Sequence, residues 1–224
     1  MATYTYQYPH AALTTDCVVF GFDGERLRLL LIERGEAPFK GMWALPGGFL
    51  RMDETVEECA RRELREETGV VHCHLEELKS FSAVRRDPRE RVVTIAHIAL
   101  VPHQDVVAGT DAAHARWYAL DELPELAFDH ADIIAMAVRR LRELIHFRPV
   151  AFELLANQFS MRELQTLYEI ILDTKFDRRN FAKKMHHLGL LRPTDGDEHV
   201  GPRRFSFDQD NWNALKEQTG RTEF

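Results

Sequence analysis

Hydrophobic and polar positions follow two different periods along this chain, and the change of period divides it. The apolar runs at residues 16–20 and 27–32 read as strands, the second suited to a buried position. A Gly- and Pro-rich turn covers residues 35–48. A charged helix follows over residues 55–68. Residues 92–101 form a long strand candidate and residues 116–120 a short one. Ile133, Ile134, Ala137, Val138, Leu141 and Ile145 then recur at helical spacing, predicting a helix over residues 129–147. Pro149 marks a boundary. The pattern predicts a mixed α/β domain over residues 1–148.

Beyond Pro149 the apolar spacing stays helical. Residues 160–172 read as an amphipathic helix with Ser160 as N-cap and Glu163 three residues later. Asp177 caps a second helix reaching His187. Thr194-Asp195-Gly196 and Gly201-Pro202 are turn signals of a hairpin. Helix, short turn, helix and ribbon describe a winged helix-turn-helix over residues 149–224.

Composition narrows the class. A chain of 224 residues, 45% hydrophobic and 29% charged, is ordinary for a soluble globular protein. No apolar stretch of about 18 residues occurs, so no membrane span is expected. The start, MATYTYQYPH, lacks the basic and apolar regions of a secretory signal. Cys17, Cys59 and Cys73 show no metal spacing and read as reduced thiols of a cytoplasmic protein. The net charge of −7 argues against bulk coating of nucleic acid. It hides an asymmetry: residues 1–148 carry 18 basic and 24 acidic groups, residues 149–224 carry 11 and 12. The second part is nearly balanced, with its basic groups clustered.

The charged helix holds the first candidate chemistry. Thr55 and Glu58 form a capping box and Gly69 supplies the stop. With Val56 at zero on a helical wheel, Cys59, Ala60 and Leu64 fall within about 80° and make an apolar stripe. Glu63 and Glu67 fall at roughly −20° and +20°, and Glu66 at roughly −80°, so carboxylates continue the inward stripe. Glu57, Glu58, Arg61 and Arg65 read as a solvated face. Carboxylates in a partly desolvated cleft cost several kcal/mol unless compensated. Mg²⁺ or Mn²⁺ would compensate Glu63, Glu66 and Glu67, and so would pairing with Arg; geometry alone leaves both open.

Gly48, five residues, Glu54, seven residues, then Arg62-Glu63-Leu64-x-Glu66-Glu67-x-Gly69-Val70 resembles the Nudix box at every defining position. The resemblance implies an αβα sandwich hydrolase that cleaves a nucleoside diphosphate linked to another group. It carries Glu63, Glu66 and Glu67 over as metal ligands, Glu54 and Arg62 as a supporting ion pair, and Gly48 as the turn into the helix. Pyrophosphate cleavage needs charge neutralisation and an activated water, which Mg²⁺ supplies. One of the three glutamates, or Glu90, would accept the water's proton.

Arg34 and Lys40 precede the box as possible phosphate partners, and Gly47 and Gly48 permit close backbone approach. The stretch RRDPRERVV, residues 85–93, resembles ADP-ribose pyrophosphatases of the Nudix group, which makes Arg86 and Arg89 candidates for phosphate or ribose oxygens. Trp43, Phe39 and Trp117 read as core residues with an alternative use in stacking on adenine. In LAFDHADII, also similar to this subgroup, His130 reads as a helix-start or fold residue.

In DRRNFAKKMHHLGLLR, residues 177–192, five Lys/Arg face one Asp. Arg178, Arg179, Asn180, Lys183 and Lys184 lie early in the second helix, where phosphate and major-groove contacts are made. Arg203 and Arg204 on the ribbon can reach backbone or minor groove. The alternative is a solvated basic face. A Nudix unit followed by FSMRELQTLYEIIL and FDRRNFAKKM resembles the Nudix-related transcriptional regulator (NrtR) family over nearly the whole chain. That resemblance implies a homodimer on double-stranded operator DNA whose Nudix domain senses ADP-ribose, or sugars in some relatives. Many such regulators have a degraded box; here it is whole. The wing usually reads Gly-Arg-Arg-Pro; here it is Gly201-Pro202-Arg203-Arg204. Three readings follow: a regulator that binds and hydrolyses ADP-ribose, a plain ADP-ribose pyrophosphatase, or a sugar-responsive regulator with a silent site.

Overall fold

The sheet of the first unit is organised around β1 (Ala12–Phe22), which is buried along most of its length. The computed structural model describes residues 5–104, 106, 112–194 and 203–219. Apolar periodicity predicts only residues 16–20 of this strand. Its polar start, Thr14, Thr15 and Asp16, is buried as well, because that segment has ladder partners on both edges. β2 (Leu27–Arg34) lies antiparallel to the second half of β1 and continues into pairing with β3 (Trp43–Ala44). β4 (Gly47–Phe49) lies antiparallel to the first half, with Gly47 opposite Asp16 and Phe49 opposite Thr14. On the other edge β6 (Val92–Leu100) runs parallel to β1, and β5 (His74–Phe81) closes the sheet antiparallel to β6. β7 (Ala112–Ala119) covers the free side of β2.

Alternation along β1 divides the core in two. Cys17 and Val19 face α1 (Val56–Thr68) through Ala60 and Leu64. Val18 and Phe20 face α2 (His130–Leu144) through Ile133, Ala137 and Leu141. Helices on both faces of a mixed sheet give the αβα sandwich expected from the sequence.

A 3-10 turn, Val150–Leu154, leads into the second unit. α3 (Met161–Leu172) begins at a Ser160–Glu163 capping box, as its sequence predicts. α4 (Arg178–His187) begins at Asp177, whose side chain accepts from Asn180 N. β8 (Phe159–Ser160), β9 (Leu191–Pro193) and β10 (Arg204–Phe207) form a three-stranded ribbon in the order β8-β10-β9. α5 (Gln209–Thr219) ends the described chain. The arrangement is a winged helix. Asp195, Gly196, Gly201 and Pro202, read above as turn residues, lie outside the described residues. Among the described residues no helix is long and apolar enough to cross a membrane.

The second unit rests on the first without a gap in apolar packing. Leu141 and Leu144 of α2 share one buried cluster with Leu164, Leu167 and Ile171 of α3 and with Phe181 and Met185 of α4. Arg142 Nε also donates to the Ile171 carbonyl at 2.8 Å.

Candidate ligand cleft and nucleic-acid face

Local sequence fixes α1. Glu58 N donates to Thr55 Oγ1 at 3.2 Å, Thr55 N donates to Glu58 Oε2 at 2.7 Å, and Gly69 ends the helix at φ 74°. Cys59, Ala60 and Leu64 are buried, and Glu67 joins them with 9% of its surface exposed. Glu66 does not. Its side chain is 41% exposed, so the wheel position that put it at the edge of the inward stripe is corrected to a surface one. The inward carboxylates are Glu63 and Glu67.

Arg62 is the hub beneath them. Its Nη2 and Nε donate to the two oxygens of Glu54 at 2.7 and 2.9 Å. Nη1 donates to Glu63 Oε1 at 2.5 Å and to Glu66 Oε2 at 3.2 Å. The bonds from Nη2 and Nε hold the Glu54 carboxyl at about 2. Glu63 moves the other way: burial raises its carboxyl above the ordinary value despite Arg62. Of the two readings left open by geometry, pairing with Arg is seen directly, at Glu63 and Glu66.

A cleft of about 640 Å³ opens above this end of the helix, with Glu63 and Glu67 in its wall. Gly47 N donates to Glu67 Oε2 at 2.8 Å. A Cβ on Gly48 would fall within the Glu63 carboxylate, and one on Gly47 against the Thr15 carbonyl. Close approach of the β4 backbone to Glu63 therefore requires Gly48, and its approach to β1 requires Gly47. The donor chemistry suits a hard divalent cation: carboxylate oxygens gathered in a partly desolvated wall, one of them with a raised pKa. Among the described residues, however, no three such side chains already stand in a ligating cluster.

The rest of the lining is in part cationic and aromatic. Arg34 lies 4.8 Å over the Phe128 ring, and Arg89 lies 5.3 Å from Phe49 and 5.9 Å from Phe128. Arg89 is oriented by both oxygens of Asp87. Lys40 and Glu90 are exposed and take no part in the lining. Phe39 stacks edge-on against Phe128 at 4.8 Å, beside the cleft. Trp43 and Trp117 instead pack in the core clusters.

Arg86 has partners inside the protein as well as a place in the cleft. It lines the cleft but is only 8% exposed, and internal carboxylates hold it. Nε and Nη2 donate to the two oxygens of Asp129 at 3.0 and 2.7 Å, and Nη2 also to Asp16 at 3.2 Å. Burial opposes its charge, yet these partners keep its pKa above the ordinary value. Beside it, His130 Nδ1 accepts from Leu45 N at 2.9 Å and Nε2 faces Asp16 at 3.5 Å. Burial lowers the pKa of this imidazole, and its bonds suit the neutral ring with the proton on Nε2. His130 is the helix-start and fold residue its position suggests.

On the second unit, Arg178, Arg179, Asn180, Lys183 and Lys184 are all exposed on α4, while Phe181 and Met185 are buried. Arg203 lies 5.8 Å over Phe205. Arg204 Nη1 donates to the Gln158 carbonyl at 3.0 Å, so part of its donor set is used within the protein.

Residues 10–137 match the NUDIX domain, and residues 151–207 match the NrtR DNA-binding winged helix domain. This chain belongs to the Nudix family and carries the NrtR winged helix. It is 34% identical over 203 residues to an ADPR responsive transcriptional repressor of Acinetobacter baylyi, covering 88% of this chain and 80% of that protein. It is 42% identical over 127 residues to an ADP-ribose pyrophosphatase of Methanocaldococcus jannaschii, covering 57% of this chain and 73% of the relative. The crystal structure of Shewanella oneidensis NrtR complexed with a 27mer DNA superposes with a TM-score of 0.76 at 30% identity, covering 90% of this chain and 95% of that one.

Within this Nudix cleft, Asp16, Phe49, Asp87 and Phe128 escape the sequence reading. Phe49 and Asp87 adjoin motifs already singled out, so adjacency was an available signal. Phe128 lies inside the quoted LAFDHADII, whereas Asp16 comes from a distant strand and nothing local marks it.

Proposed function

We propose that this protein is an ADP-ribose-responsive DNA-binding regulator, with residues 1–148 as the nucleotide unit and 149–224 as the DNA unit. The observation that carries the reading is the pairing of a carboxylate-and-arginine cleft with an exposed basic second helix in one packed chain. Relatives that respond to ADP-ribose and bind DNA support it. Arg34 and Arg89 take the diphosphate and its flanking groups, with Phe49 and Phe128 as apolar surface beside them. Glu63, Glu66 and Glu67 hold Mg²⁺ or Mn²⁺, and Arg62 with Glu54 fixes the helix that carries them. The chemistry such a cation supplies is charge neutralisation on the diphosphate and acidification of water. One of these three glutamates accepts the water's proton. The whole box and the likeness to an ADP-ribose pyrophosphatase favour hydrolysis as a second activity of the same cleft.

On DNA, α4 enters the major groove with Arg178, Arg179, Asn180, Lys183 and Lys184, and Arg203 reaches from the ribbon. A homodimer in the cytoplasm presents two such helices to a two-fold operator. The test is calorimetric titration of ADP-ribose into the full chain with Mg²⁺, together with gel shift of duplexes selected from its own genome. Binding of both supports the reading. ADP-ribose turnover with no sequence-selective DNA binding leaves the plain pyrophosphatase in its place.

A further inference from the structure

Three consecutive residues tie the start of α2 to the cleft. Phe128 lines it in a left-handed conformation, φ 54°, which a bulky aromatic residue rarely adopts. Asp129 occupies the N-cap position but makes no side-chain cap bond; its carboxylate is turned to Arg86 instead. His130 is fastened to Leu45 and faces Asp16. Strained residues of this kind cluster at ligand clamps and switch points.

The far end of the same helix is tied to the winged helix. Over its 15 residues α2 spans about 22 Å. Arg142 in its last turn donates to the Ile171 carbonyl of α3, and Leu141 and Leu144 pack with Leu167 and Ile171. α3 leads through one short turn into the basic α4.

Arg86 stands where these connections meet the cleft. Its Nε and Nη2 are taken by Asp129 and Asp16, and Nη1 has no hydrogen bond among the described residues. A phosphate oxygen is a strong acceptor for a guanidinium, and its charge repels the carboxylate already there. A ligand shifts a conformational equilibrium only through a contact that differs between the two states, and this exchange is such a contact.

We propose that Arg86 is a positioning residue that reports occupancy of the cleft to the winged helix: a bound diphosphate draws its guanidinium away from Asp129, and the released start of α2 moves the helix to which α3 is tied. This rests on the reading of the cleft as a nucleoside-diphosphate site and of the winged helix as a DNA site.

The experiment measures DNA affinity of the full chain with and without saturating ADP-ribose, using a duplex selected by the wild-type protein. Wild type shows a change of about tenfold or more. Asp129→Asn keeps the side-chain shape but removes the carboxylate charge. It narrows the change to about threefold or less, while each ligand alone binds within about threefold of wild type. Asp129→Glu restores the response, which a merely structural role would not require. Arg142→Gln, at the other end of α2, narrows it in the same way and serves if Asp129→Asn does not fold. Full coupling in Asp129→Asn, or in Arg142→Gln, overturns the proposal. A wild-type chain that binds no ADP-ribose instead removes the functional reading underneath, and this proposal with it.

Discussion

Glu54 and Arg62, eight residues apart across the start of α1, meet through two parallel hydrogen bonds, each side chain about nine-tenths buried. This fork fixes the position of Arg62, and Arg62 fixes Glu63 and Glu66. Breaking one partner of a buried, charge-assisted pair leaves the other uncompensated. Glu54→Gln lowers unfolding free energy by about 2 kcal/mol at neutral pH, read from urea denaturation. The effect depends on pH with a definite sign. The folded carboxyl sits at about 2, below its ordinary 4.5, so its contribution is present above about 4.5 and fades as pH falls toward 2. The difference between wild type and Glu54→Gln closes over that window; a gap that stays constant down to pH 2 would contradict the depressed carboxyl.

Glu63 carries the opposite sign. Its raised carboxyl means that the folded state is favoured below the ordinary value and loses that advantage as pH rises through the folded one. At neutral pH the ionised side chain is a stability cost that a cation relieves. Glu63→Gln therefore melts at a higher temperature than wild type without metal, and Mg²⁺ no longer raises its melting temperature. Glu66→Gln, at a more exposed position, leaves metal-free melting within about 0.5 kcal/mol of wild type and abolishes AMP release from ADP-ribose. Equal Mg²⁺ responses in wild type and Glu63→Gln would remove Glu63 from the metal site.

The two glycines of β4 separate stability from function. Gly47→Ala meets the Thr15 backbone, which cannot yield, and costs about 1–3 kcal/mol. Gly48→Ala meets the end of the Glu63 side chain, which can swing aside. That variant keeps most of its stability but loses the Mg²⁺ response and the turnover. Thermal melting and product analysis on both proteins check the contrast, and equal destabilisation would contradict it.

Exposed cations of α4 change binding without changing folding. Arg179→Ala and Lys183→Ala each weaken duplex binding and reduce the slope of log affinity against log salt by about 1, while melting temperature stays unchanged. Arg204→Ala behaves differently, because Arg204 also holds the Gln158 carbonyl. It lowers stability slightly along with affinity. Unchanged salt slopes in the α4 variants would show that these side chains face solvent and not phosphate.

What could be read in advance was local. The capping boxes at Thr55 and Ser160 and the stop at Gly69 depend on residues within one or two turns, and each forms as written. The Nudix spacing brought Glu54 to Arg62 for the same reason. β5 stayed hidden because His74–Phe81 is an edge strand rich in Glu and Lys, half exposed, with no apolar alternation to announce it. α5 buries Trp212 but little else, too thin a stripe to predict a helix. That Arg86 is also held from within the protein could not be read, because its partners are 43 and 70 residues away in sequence, at Asp129 and Asp16. A wheel angle near the edge of a stripe likewise does not say on which side of that edge Glu66 will fall.

The buried cluster that runs from Leu141 and Leu144 into Ile171 and Met185 has a thermodynamic consequence. Because apolar packing is continuous between them, the two units are expected to melt in one transition, which scanning calorimetry checks. A metabolite that occupies the cleft protects the whole chain by mass action, including the basic helix it never touches. When the metabolite is scarce, both halves become equally open to proteolysis. On the proposed reading, ligand supply then sets how readily the whole chain unfolds, through stability alone and apart from any change of shape.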